Sequence, residues 1–150
     1  MTQLQHSLKA KYSDRLATEI RGIFGKLKRR LRDQTDASGL SGPQMSVLGL
    51  LGNAGEATVT SLAREEGMRP QSMGAIVAAL EDVGLVRGAP DPNDGRQTIL
   101  SLTENGLEWI RAAKAARQDW LSRAIEAKLT KDQQKELGNA IELLKRIVEP

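Results

Sequence analysis

The sequence predicts a mainly α-helical fold with one small β-hairpin, and three observations carry that prediction. Only 3% of the residues are aromatic, and Leu, Ile, Val and Ala supply the apolar content, a set that favours helices over an aromatic-rich sandwich. Apolar side chains recur at helical spacing along most of the chain. A single cluster of Pro, Asn, Asp and Gly at 90–96 separates two short apolar runs of strand length. With 150 residues, 39% hydrophobic and 27% charged, the chain lies in the globular range and can bury one sizeable core.

The first predicted helix begins at Asp14, where Leu16, Ile20, Ile23, Phe24, Leu27 and Leu31 form a stripe and Arg21, Lys26, Lys28, Arg29, Arg30 and Arg32 fill the positions between. It reads as a core stripe with a solvated basic face, with phosphate contact or an acidic partner as the alternative. Gly22 and Gly25 each cost about 1 kcal/mol against Ala, which fits a place where another helix packs closely. Residues 36–42 read as a loop. Pro43 suits the first turn of a second helix, whose Met45, Val47, Leu48, Leu50 and Leu51 are apolar nearly all round and so predict burial.

Gly55 ends that helix, and Thr58, Val59 and Thr60 predict a short strand leading into a helix at 61–66. Gly67 supplies a turn and Pro70 opens the next helix, with Met73, Ile76, Val77, Leu80 and Val83 as its core-facing stripe and Gly84 as its stop. Leu85–Arg87 and Thr98–Leu102 are the two arms of the hairpin. Thr103 is the expected N-cap of a long helix through Leu129, and Thr130 with Gln133 forms a capping-box pattern that opens a last helix carrying Leu137, Ile141, Leu144 and Ile147.

Composition excludes several chemistries. The absence of cysteine removes disulfides, thiolate metal sites and thiol redox sensing, and fits the reducing cytoplasm. His6 is the lone histidine, expected in a frayed tail, so there are no paired His ligands and no Ser/His/Asp set with more than one His, and no Gly-rich phosphate loop followed by Lys-Ser/Thr is present. No enzyme, cofactor or metal is therefore expected. No apolar run approaches the roughly 20 residues of a membrane span, and the first residues lack the apolar stretch of a signal peptide. The net charge of +3 points only weakly to a polyanion, but its distribution is uneven: residues 1–33 hold nine Lys/Arg against three acids, so the rest of the chain is net negative.

Two short helices around a tight turn can hold the second of them proud of the surface, where the major groove of B-DNA is wide enough to admit it, and a hairpin that follows can reach the neighbouring groove. Helix, Gly turn, Pro-initiated helix and polar hairpin in this order predict a winged helix-turn-helix. The chain also resembles the MarR family of transcriptional regulators, through Leu62-Ala63, Arg69-Pro70-Gln71-Ser72-Met73, Leu80, Gly84-Leu85-Val86, Asp91-Pro92-Asn93-Asp94-Gly95-Arg96 and Leu102-Thr103-Glu104-Asn105-Gly106. The resemblance is dense over residues 58–106. It implies a winged DNA-binding lobe at 41–102 between chain ends, 13–34 and 103–150, that form a helical dimerisation region.

On that resemblance the partner is double-stranded DNA, bound by a homodimer at a pseudo-palindromic operator, and the function is a ligand-responsive repressor. Arg69, Gln71 and Ser72 are the candidate DNA contacts on the recognition helix, with Gln71 the base reader; simple capping and solvation is the competing reading. Arg96 is the candidate for the minor groove, with Asp94 expected to fix its side chain. Met45 and Leu48 are candidate walls of a site for an aromatic or phenolic effector, and Phe24, Trp109 and Trp120 read as packing before pocket. Two features depart from the family pattern: Gly74 and Ala75 stand where polar or basic residues are common, and Gly88 follows Arg87 where a charge is usual. Residues 56–87 also hold three Lys/Arg against five acids. A protein-interaction partner or antagonist of a related regulator, with weak or no DNA binding, is the alternative, and a non-specific architectural DNA binder using the basic first helix is a third reading.

Overall fold

The computed structural model describes residues 3–35 and 39–150, with side chains from Lys11 onward. Among the described residues, six helices and three strands follow one another as α1 (Gln3–Asp33), α2 (Gly42–Ala54), β1 (Glu56–Thr58), α3 (Val59–Glu65), α4 (Pro70–Asp82), β2 (Val86–Pro90), β3 (Thr98–Leu102), α5 (Glu104–Lys128) and α6 (Lys131–Val148). The chain divides into two compact units, Met1–Thr35 with Arg117–Pro150, and Asp36–Ala116.

The second unit is built around one apolar core. Val47, Leu48 and Leu51 of α2, Leu62 and Ala63 of α3, Met73, Val77 and Leu80 of α4, Val86 of β2, and Leu100 and Leu102 of β3 are buried together. Helix α2 is buried as its composition requires, and Ile76 packs partly buried against the same cluster. Val83 does not. It caps α4 at φ −87° and ψ 1°, one residue past the last helical turn, and is 58% exposed, which corrects the expectation that it continues the core stripe.

Helices α3 and α4 each end in the same device. Gly67, at φ 62°, and Gly84, at φ 76°, turn the chain in the left-handed region that favours glycine. The amide after each reaches five residues back, Met68 to the Ala63 carbonyl at 2.8 Å and Leu85 to the Leu80 carbonyl at 3.0 Å. This is the Schellman arrangement, which satisfies carbonyls that the helix end would otherwise leave unpaired.

The sheet has the order β1-β3-β2 and is antiparallel throughout. Val86 pairs with Leu102 and Gly88 with Leu100 on the core side, while Arg87 pairs with Ser101 on the other face. The first strand lies two residues earlier than its β-branched composition suggests, at Glu56–Thr58, and Val59 and Thr60 are helical. Thr58 is the N-cap of α3, its side chain accepting from the Ser61 amide at 3.1 Å while the Ser61 hydroxyl accepts from the Thr58 amide at 3.0 Å. That reciprocal cap outweighs the modest strand preference of two β-branched residues.

The first unit contains α1, the end of α5, and α6. Helix α1 begins at Gln3, well before Asp14, so His6 lies on a helix; its side chain is outside the described residues. Among the described residues of this unit no apolar side chain is buried. Tyr12, Leu16, Ile23 and Phe24 on α1 and Leu137, Ile141, Leu143, Ile147 and Val148 on α6 are exposed. An added Cβ at Gly22 or Gly25 meets nothing within 4 Å, so within the described chain no helix packs closely there.

Candidate nucleic-acid interface

Four of the helices begin with a Ser or Thr whose side-chain oxygen accepts from a backbone amide in the first turn: Ser41 for α2, Thr58 for α3, Thr103 for α5 and Thr130 for α6. Helix α4 does not. Its N-cap is Arg69, at φ −71° and ψ 141°, which makes no side-chain capping bond, and Pro70 occupies the first helical position with no N–H to donate. The amides of Gln71 and Ser72 are therefore uncapped by any side chain, at the positive end of the helix dipole.

The direction in which α4 faces follows from its burial. Met73, Val77 and Leu80 are buried, so the opposite side looks outward and carries Gln71, Ala75, Ala78 and Asp82 in one row, at spacings of four, three and four. Arg69 and Ser72 are exposed beside the start of that row. Of the recognition-helix candidates, Arg69, Gln71 and Ser72 thus sit together on the exposed first turn, while Met73, Ile76 and Leu80 belong to the core side.

The hairpin tip is held by its own short hydrogen bonds. The Asn93 amide donates to Asp91 Oδ1 at 2.8 Å, the Arg96 amide to Asp94 Oδ1 at 3.1 Å, and the Asp91 amide to the Gln97 carbonyl at 2.9 Å. Asp94 therefore fixes the backbone at Arg96 and not its side chain. The carboxylate is occupied within the turn, and the exposed Arg96 guanidinium makes no ion pair among the described residues. The ion pairs of the described residues are Arg15–Glu19, Arg111–Glu108, Arg123–Asp119 and Lys145–Glu142, all within single helices, which leaves the charges of Arg64, Arg69, Arg87 and Arg96 uncommitted.

Arg87 is a cation that sequence reasoning did not place in the site. It is exposed on the outer face of β2, with its Nε donating to Ser101 Oγ at 3.3 Å. The alternation of a buried Val86 with an outward neighbour is the signal that could have found it. The junction behind the wing is tied by Thr103, whose hydroxyl donates to the Gly84 carbonyl at 2.6 Å and accepts from the Gly106 amide at 3.0 Å. A second tie joins α2 to the end of α3, where the Ser46 hydroxyl donates to Glu66 Oε1 at 2.6 Å.

Met45 and Leu48 both lie on α2 on its buried side, Leu48 with no exposed surface. Trp109 packs against the core of the second unit, Trp120 is half-buried in the first, and Phe24 is 63% exposed. Among the described residues no group of three or more His, Cys, Asp or Glu could hold a metal ion, and no helix is long and apolar enough to cross a membrane.

Comparison with known proteins agrees with this geometry. The sequence profile of the MarR family matches residues 38–97. An HTH-type transcriptional regulator of Mycobacterium bovis is 38% identical over 135 residues, which is 90% of this chain and 94% of the relative. The HTH-type transcriptional repressor IacR of Pseudomonas putida is 27% identical over 125 residues, 83% of this chain and 72% of IacR. Among solved structures, MepR of S. aureus, in a complex with an oligodeoxyribonucleotide, superposes with a TM-score of 0.70 at 17% identity, covering 88% of this chain and 97% of MepR.

Proposed function

The chain belongs to the MarR family of helix-turn-helix transcriptional regulators, and on that premise we propose that it is a homodimeric repressor. It binds a pseudo-palindromic operator with α4 in the major groove and the β2–β3 wing in the minor groove. The observation that carries this reading is the first turn of α4, where Arg69, Gln71 and Ser72 are exposed together beside backbone amides that no side chain caps. Free amides at a helix start attract phosphates, and the polar side chains around them reach base edges. Arg96 enters the minor groove from a turn whose backbone is already fixed, so little entropy is lost in presenting its charge.

Pairing of two chains through residues 13–34 and 103–150 is supported by the unburied apolar faces of α1 and α6. A helical unit in which no described apolar side chain is buried gains little from folding alone, and a second copy supplies the missing cover. The two reading heads then meet half-sites about 34–36 Å apart, one helical turn of DNA. MepR is bound to DNA in its solved complex and IacR is named a repressor, and both features extend to this chain as part of the proposal.

A small aromatic or phenolic effector would act by changing the separation of the two heads, with Met45 and Leu48 of α2 as its proposed contacts; both are buried here, Leu48 within the core, so binding there requires α2 and its neighbours to part. The test of the DNA reading is selection of bound sequences from a random duplex pool, followed by salt titration of the selected and a scrambled duplex. A palindromic consensus with a steep salt slope is expected. Equal and weak binding to both duplexes would favour the protein-interaction partner, a reading motivated by the excess of acids over bases at 56–87.

A further inference from the structure

We propose that this chain's α4 reads thymine methyl groups, so that its half-site is rich in A·T pairs, an inference that rests on the DNA-binding reading above. The outward row of α4 runs from the Gln71 amide through the single methyl groups of Ala75 and Ala78 to the Asp82 carboxylate. No Lys or Arg occurs anywhere in Pro70–Asp82. The commonest specific contact in the major groove, a basic side chain on guanine O6 and N7, is therefore missing from this helix.

What the row does present has one natural complement. An alanine methyl can neither donate nor accept, and thymine is the only base that offers a methyl group in the major groove. Gln71 at the N-terminal end matches the donor and acceptor of adenine, again in an A·T pair. Gly74 flanks the row with nothing within 4 Å of where its Cβ would lie, so the backbone is unshielded there and the helix can seat deeply in the groove. Ala75 and Ala78 stand one turn apart, about 4.5 Å along the axis, which spans one to two base-pair steps at about 3.4 Å each. Asp82 closes the row with a charge that phosphates repel, confining the footprint to the part of α4 that precedes it.

Replacing thymine by uracil removes only that methyl and leaves base pairing unchanged. On the selected operator, single thymine-to-uracil replacements are expected to weaken binding of the unmutated chain about fourfold at one or two positions per half-site, the value of one buried methyl. Ala75→Gly is expected to abolish the thymine-over-uracil ratio at one of these positions and Ala78→Gly at the other; the ratio within each variant cancels any general loss of helix stability. Indifference of the unmutated chain to uracil at every position, with operator still preferred over scrambled DNA, overturns the methyl reading alone. Absence of any such preference overturns the DNA-binding reading and this one with it.

Discussion

A guanidinium at the tip of an exposed turn adds little to folding but much to the capture of a polyanion, so Arg96 is a residue at which the two contributions separate. Arg96→Ala is expected to leave stability within about 0.5 kcal/mol while lowering DNA affinity and reducing the log–log salt slope by about one. An unchanged slope would remove Arg96 from the interface. Leu51 gives the opposite case. It is fully buried in the core of the winged lobe, and Leu51→Ala is expected to cost about 2–5 kcal/mol in denaturant unfolding. At this scale the exposure of the candidate contacts was legible in the sequence: Arg69, Gln71 and Ser72 are exposed where a Pro-initiated helix places them. The role of Asp94 was not, because whether a short carboxylate takes its neighbour's amide or its guanidinium depends on the turn geometry and not on spacing.

At the scale of elements, caps decide boundaries. The Thr130 and Gln133 box was visible as a pattern, whereas the Thr58 and Ser61 box was hidden in a β-branched run, and the strand and helix there were divided two residues late. The outward row on α4 was equally hidden, since a helix with apolar and small residues on several sides declares its face only once its core contacts exist. Thr103 ties the start of α5 to the chain entering the wing through two hydrogen bonds of one hydroxyl. Thr103→Val preserves shape and removes both. A loss of about 1–3 kcal/mol is expected, read from the urea midpoint, and an unmoved midpoint would show that water replaces the hydroxyl there without cost.

For the whole molecule, the contrast lies between a lobe with a closed core and a first unit in which no described apolar side chain is fully buried. The described apolar residues of α1 and α6 are exposed or half-buried and none is fully buried, which accounts for a sequence that reads as amphipathic along both helices without closing a core in one chain. Ile141→Asp, on the exposed face of α6, is expected to convert a dimer into a monomer in sedimentation, with the lobe still folded by circular dichroism. Sedimentation unchanged by this substitution would place the pairing surface elsewhere. The account as a whole stands on paired chains reading sequence through α4, and the most direct measurement is titration of a pool-selected palindromic duplex at fixed salt, beside a scrambled duplex of equal composition. Saturation at two chains per selected duplex, with affinity at least about a thousandfold above the scrambled one, is the expected result. Equal affinity for both duplexes, or saturation at one chain, would contradict it.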